Sequence, residues 1–271
     1  MTTSPSLPDD FDPARPLDGR RAVVTGGGRG IGAATARALA ALGAAVVVSA
    51  RSRDQIDAVA GELSSAGHSA RAVSCDVSDP DSIESLFEQA SEPGPVDLLI
   101  NNAGMAASSP IARQQLEEWD RIFSVNVRGL FLCTRAFLPA IVERGWGRVI
   151  NVASVAGKIG SPYISAYTAS KHAVVGFTRA VAAEVAKTGV TVNAVCPGYV
   201  ETDMMAQSVN TIVGKTGMDP ADARGHLEAL SPQQRVFTAE EVAHQIGHLC
   251  HPLSGGVNGQ CLVIDGGGVQ V

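Results

Sequence analysis

Ala22-Val23-Val24-Thr25-Gly26-Gly27-Gly28-Arg29-Gly30-Ile31-Gly32 is the stretch that decides how this chain folds. A short apolar run leads without a break into a glycine-rich turn, and Ile31, Thr35, Ala38 and Leu42 then recur at helical spacing. Glycine suits a backbone that must turn tightly from strand to helix and let the helix pack closely on the strand. Outward from it, strand-length apolar runs follow at 45–48, 70–73, 98–100, 149–152, 191–195 and 262–264. Each is apolar almost throughout, as a strand covered on both faces requires, and each is separated from the next by helix-length amphipathic sequence. Helix starts are marked by Asp79 before Pro80 and by Thr238 with Glu241 three residues later, a capping box.

The pattern predicts an α/β chain: a Rossmann-type doubly wound sheet of about seven parallel strands with helices on both faces, in a single domain over 19–271. In such a fold Thr25, Gly26, Gly28, Arg29, Gly30, Ile31 and Gly32 shape a pocket for a dinucleotide pyrophosphate, which meets free N–H groups at the helix N-terminus. A glycine turn without a ligand is the bland alternative. After the second strand, about 20 residues on, an NAD-selective site usually places a carboxylate on the ribose. Here Ser49-Ala50-Arg51 stands instead. Arg51 and Arg29 would pair with a ribose 2′-phosphate, so NADP(H) is expected over NAD(H), which stays open if the arginines only solvate their loops.

The 271 residues are 45% apolar and 18% charged, with a formal net charge of −6. Neither nucleic acid nor an anionic membrane is an expected partner, since both demand a concentrated basic surface. No run approaches about 18 consecutive apolar residues, the length that spans a bilayer. Cys75, Cys133, Cys196, Cys250 and Cys261 lack paired spacing and read as buried small hydrophobes in a reducing, cytoplasmic compartment. Residues 1–18, with Pro5, Pro8, Pro13 and Pro16, are read as a flexible leader without the features of a signal peptide.

Ser154 closes the fifth strand, and Tyr167 and Lys171 lie four apart, on one helix face. A cation beside a phenol favours phenolate and brings its pKa, ordinarily near 10, toward the working range. Ser154 can donate to a substrate oxygen where negative charge develops. Alone, such a pair is more often a surface contact. Its company is informative: the glycine turn, Asn101-Asn102-Ala103-Gly104 after the fourth strand, Asn126, Ser154, Tyr167-Thr168-Ala169-Ser170-Lys171 and Pro197-Gly198 occur in that order. The chain beyond residue 18 resembles the short-chain dehydrogenase/reductase family, and within it the ketoreductases of 3-oxoacyl thioesters or polyketide-type carbonyls.

That resemblance implies further roles. Asp76 with Val77 would contact the adenine; Asn101, Asn102, Ala103 and Gly104 would shape the cofactor cleft; Asn126 would hold a water linking the lysine to solvent. Lys171 would also bind the nicotinamide ribose, and Pro197, Gly198, Val200 and Thr202 the carboxamide. The expected reaction is reduction of a ketone by hydride transfer with Tyr167 as proton donor. Two rivals remain: an NAD-dependent dehydrogenase of a hydroxyacyl thioester, steroid or sugar alcohol, and a non-catalytic nucleotide-binding regulator or scaffold.

Segment 201–235, with Met204, Met205, Gly214, Gly217 and Pro220, is read as a lid without clear helix signals, and with the loop after Gly104 it is expected to govern substrate choice. The helices expected at 165–187 and 119–141 are apolar beyond one stripe, which predicts a homodimer or homotetramer, in line with the family. His244 and His248, with Cys250 and His251, suggest zinc only superficially, so no metal is expected. Tyr163 is read as lining the substrate mouth, His172 as an interface or packing residue, and Trp119 and Trp146 as anchors.

Overall fold

The computed structural model describes residues 11–270. Among these the strands are β1 (Arg21–Thr25), β2 (Ala45–Ala50), β3 (Ala70–Ser74), β4 (Leu98–Asn101), β5 (Gly147–Val152), β6 (Val190–Pro197) and β7 (Cys261–Ile264). The helices are α1 (Gly30–Ala41), α2 (Arg53–Ser65), α3 (Pro80–Ser91), α4 (Leu116–Phe123), α5 (Leu130–Glu143), α6 (Ser165–Glu184), α7 (Asp203–Thr216), α8 (Pro220–Glu228) and α9 (Ala239–Cys250). All seven strands run parallel in one sheet, ordered β3-β2-β1-β4-β5-β6-β7.

Both faces of the sheet are covered, which is why the strands read as unbroken apolar runs. Ala22, Val24, Val46 and Val48 pack with Leu39, Ile56 and Ile246 of α1, α2 and α9. Val23, Val47, Leu99 and Val149 face the other way, toward Leu86, Phe137 and Val181 of α3, α5 and α6. Polar side chains also cross this second layer. Asn101 donates to Asn151 Oδ1 at 2.9 Å and to Thr134 Oγ1 at 3.0 Å, and Asn151 donates to Thr178 Oγ1 at 2.9 Å. This buried ladder ties α5 and α6 to adjacent strands directly below the candidate site.

The sheet order reverses between β1 and β4, so the loops leaving their carboxyl ends diverge and open a crevice. Asp79 caps α3 by accepting from Asp81 N, and Thr238 with Glu241 forms the full capping box of α9. Three readings change. The segment 201–235 is helical, forming α7 and α8; only Met205, Ala223 and Leu227 of those helices are buried, so it carries little apolar periodicity. The expected flexible leader is packed at its end: Leu17 is fully buried and its N–H donates to Leu42 O. Residues 1–10 lie outside the described residues. Finally, Leu116–Glu143 is one helical stretch broken by a π turn at Ser124–Gly129, where Gly129 lies so close to Val77 O that a Cβ would come within 2.7 Å. That stretch is long and apolar enough to cross a membrane, but Leu132, Cys133, Phe137 and Ile141 are buried against the sheet, which makes it a core helix.

Candidate active site

The glycine turn between β1 and α1 is held from behind. Thr25, itself buried, accepts at Oγ1 from the N–H groups of Asn102 and Ala103, both at 3.1 Å, and Asn102 Nδ2 donates to the carbonyls of Thr25 and Gly26. Gly26 and Gly30 have φ of 64° and 51°, in the left-handed region. A Cβ on Gly32 would lie 2.1 Å from Gly26 O and 2.5 Å from Asn102 Nδ2, so only glycine fits. Arg29, the N-cap of α1, is extended and provides no side-chain cap. The first-turn N–H groups of α1 are thus left without the side-chain acceptor that α3, α8 and α9 each carry. A glycine cradle against an uncapped helix N-terminus fits an anionic pyrophosphate.

Toward the edge of the crevice, Asp76 accepts from Ser78 N at 2.9 Å and Ser78 Oγ at 2.7 Å. Burial works to raise its pKa, but these bonds and the Arg51 guanidinium, 4.0 Å away, outweigh it and hold the carboxyl below its ordinary value. Val77 is buried beside it. Arg29 points to the other side, donating to Asp203 Oδ2 at 2.8 Å.

At the carboxyl end of β5, Ser154 is buried, accepts at Oγ from Ala156 N at 3.1 Å, and lies beside the Tyr167 phenol. Lys171, one turn along α6, is buried with its Nζ 5.7 Å from the Tyr167 ring centroid. Its ammonium donates to Val152 O at 2.7 Å. Asn126 sits in the π turn and pairs twice with the Met105 backbone, accepting from its N–H and donating to its carbonyl, each at 2.9 Å. Its other Nδ2 hydrogen goes to Ser170 Oγ at 3.0 Å. A Cβ on Gly104 would stand 3.5 Å from Asn126 Oδ1 and 3.6 Å from Lys171 Nζ, so the loop after β4 lies against the part of α6 that carries Lys171.

The segment leaving β6 completes the floor. Pro197 O faces Ser154 Oγ, Gly198 packs against Asp265, and Val200 forms a parallel bridge with Phe237. Thr202 heads α7, donates to Val200 O at 3.1 Å, and its Cγ2 would be 3.0 Å from a Cβ on Gly30. Residues 197–202 therefore abut both the serine and the glycine turn.

Residues 20–212 match the family model described as short chain dehydrogenase. This chain belongs to that family. Among its relatives, a 3-oxoacyl acyl-carrier-protein reductase from Synechocystis sp. is 40% identical over 257 residues, covering 94% of this chain and 98% of the relative. A D-beta-hydroxybutyrate dehydrogenase from Cupriavidus necator is 37% identical over 255 residues, covering 89% and 98%. Among solved structures, a variant of actinorhodin polyketide ketoreductase with NADPH superposes with a TM-score of 0.89 at 39% identity, covering 92% of this chain and 97% of that one.

In this short-chain dehydrogenase, the geometry modifies what spacing alone suggested. Burial pushes the Tyr167 phenol up to about 12, with the neighbouring Ser154 hydroxyl opposing it, and burial pulls Lys171 down to about 8. Burial dominates at the phenol, and the Lys171 ammonium donates to Val152 O rather than to the phenol itself. Asn126 has both amide hydrogens committed to protein, so these are not donors for a solvent link. Thr25 is spent entirely inside the protein. Tyr163 is 65% exposed with φ of 68°, and its carbonyl accepts from Ser109 N at 2.7 Å; Lys215 of α7 donates to Ser108 O at 3.0 Å. The loops after β4 and β5 and the helix α7 thus meet at one rim, a junction sequence reasoning missed. Elsewhere, His251 accepts at Nδ1 from Leu253 N in the turn after α9, where Cys250 is fully buried. Trp146 lies between the Arg20 and Arg148 guanidiniums, Trp119 stacks on Phe123, and His172 is exposed with Nδ1 3.0 Å from Thr168 O.

Proposed function

We propose that the protein is an NADP(H)-dependent ketoreductase that converts a ketone, of the 3-oxoacyl thioester kind, to a secondary alcohol. The observation that carries this reading is geometric: Ser154, Tyr167 and Lys171 come together at the carboxyl end of β5, under the loop after β4 and beside the glycine turn. Burial holds the Tyr167 phenol above its ordinary value, so it enters the reaction protonated, the state that reduction requires.

The dinucleotide, when bound, supplies the hydride. The chain's own residues do the rest. The N-terminus of α1 and Gly26, Gly28, Gly30, Ile31 and Gly32 bind the pyrophosphate, and Asp76 and Val77 hold the adenine. Arg51, and Arg29 once turned from Asp203, would meet the 2′-phosphate, Lys171 would hold the nicotinamide ribose, and Pro197, Gly198, Val200 and Thr202 the carboxamide. Ser154 donates to the carbonyl oxygen as it becomes negative, and Tyr167 passes its phenolic proton to that oxygen. Asn126 fixes the Met105 backbone and Ser170, and through them the loop containing Asn102, Ala103 and Gly104.

A second reading, an NAD-dependent dehydrogenase working oxidatively, draws support from the engagement of Arg29 and Arg51 with the carboxylates of Asp203 and Asp76, and from the hydroxybutyrate dehydrogenase relative. A non-catalytic scaffold is disfavoured by the assembled Asn126, Ser154, Tyr167 and Lys171. In the same reading the enzyme works in the cytoplasm as a homodimer or homotetramer. Phe131, 42% exposed on α5 and edge-on to Phe177 of α6, supports association through these helices; light scattering showing monomer alone at micromolar concentration would contradict it.

The test is cofactor consumption with a panel of 3-oxoacyl thioesters, cyclic ketones, steroids and sugars, run with NADPH and NADH in both directions. The proposal expects thioester reduction to prevail, with NADPH preferred. Turnover only of alcohols with NAD would favour the second reading, and no turnover of any substrate the scaffold.

A further inference from the structure

Arg29 has an unexpected neighbour. Its Nη1 donates to Asp203 Oδ2 at 2.8 Å, a contact between residues 174 positions apart, one in the glycine turn and one at the first position of α7. The approach is built into the backbone: Thr202, just before Asp203, lies close enough to Gly30 that a Cβ there would be 3.0 Å from its Cγ2. An acid at this position also suits the positive end of the α7 dipole.

We propose that Asp203 is a positioning residue for Arg29 and thereby limits the preference for NADP(H) over NAD(H). The inference rests on the reading that Arg29 faces the 2′-phosphate. That group carries a charge of about −1.5 to −2 at neutral pH and needs a cation free to meet it. While Arg29 stays with Asp203, its charge is partly neutralised; when it turns to the phosphate, it gives up the Asp203 bond. Both paths reduce the gain from the phosphate. NAD(H), with a hydroxyl at that position, has no such demand, so its affinity is independent of the pair. The two side chains are 60% and 64% exposed, and solvent screens them. The expected effect is therefore modest, about two- to fivefold.

The experiment is equilibrium titration of the full chain with NADPH and with NADH at low ionic strength, using the wild type, Asp203→Asn, Asp203→Glu, Arg29→Ala and the Arg29→Ala/Asp203→Asn double variant. Asp203→Asn should tighten NADPH about two- to fivefold and leave NADH unchanged, Asp203→Glu should restore wild-type values, and the effect should vanish without Arg29. Equal shifts for both cofactors, no shift for NADPH, or an Asp203→Asn effect that persists without Arg29 would each overturn the proposal. The underlying reading is checked separately. If Arg29→Ala weakens NADPH selectively while Asp203→Asn is silent, only the Asp203 inference fails; if Arg29→Ala leaves the NADPH preference intact, both fail.

Discussion

Gly32 in the turn after β1 and Gly214 in α7 show how differently the two walls of the crevice are built. At Gly32 an added methyl would strike Gly26 O and Asn102 Nδ2, whereas at Gly214 nothing lies within 4 Å. The first wall is locked by internal bonds: Thr25 to β4, Asn102 to the turn, Asn126 to Met105. The second is a pair of helices attached through a few side chains, with Met205 the buried residue of α7. A site that must aim a proton and a hydride to within fractions of an ångström belongs on the first kind of wall, and selection among substrates can be left to the second.

The comparison can be tested residue by residue. Tyr167→Phe keeps the packed wall and removes only the proton, so turnover should fall by about 10²- to 10⁴-fold while the cofactor dissociation constant stays within experimental error. Steady-state rates with fluorescence titration check this; a parallel loss of cofactor binding would mean that the phenol is structural. Gly32→Ala should abolish tight cofactor binding and destabilise the fold by about 1–3 kcal/mol. Gly214→Ala should instead be neutral or stabilise by up to ~1 kcal/mol, since it improves an exposed helix. Thermal melts of the two variants give the contrast, and equal destabilisation would remove it.

The pH dependence follows from the same wall. Lys171, pulled down to about 8, is cationic below that value and neutral above it, while Tyr167 at about 12 stays protonated throughout. For reduction, kcat/KM should therefore be flat below about pH 8 and decline above it with the lysine, not the tyrosine. Folding responds in the opposite sense. A lysine whose folded pKa lies below its unfolded value of about 10.4 favours the native state most at high pH, and that contribution is lost as pH falls through about 8. A rate profile without inflection near pH 8 would contradict the assignment. Smallest of all, Lys215→Ala frees α7 from Ser108, and with one exposed charge-assisted bond at stake the ketone KM should rise about two- to fivefold without change in cofactor affinity. A change in cofactor affinity of the same size would show the two walls to be coupled.

The packed wall was legible in sequence because its signals are local and strong. Strands buried on both faces must be apolar throughout, the glycine turn tolerates no substitute, and Thr238 with Glu241 announces its own helix. The second wall gave less. α7 and α8 bury too few residues to show a period, yet Asp219-Pro220 repeats the signal used at Asp79-Pro80: Asp219 accepts from Ala221 N and the proline starts α8. Leu17, one apolar residue among prolines, has no pattern to reveal its burial. The pairing of Tyr167 with Lys171 was readable from spacing, but the direction of the ammonium was not, because it depends on a carbonyl of β5. Likewise the ladder from Thr134 through Asn101 and Asn151 to Thr178 spans four elements, and no single stretch of sequence encodes it.

The most direct measurement is label transfer. With NADPH deuterated at the transferable nicotinamide position and a 3-oxoacyl thioester, the product alcohol should carry one deuterium at the former carbonyl carbon when analysed by mass spectrometry. Alcohol formed without the label, or labelled cofactor left unconsumed while the chain binds it tightly, would contradict the account.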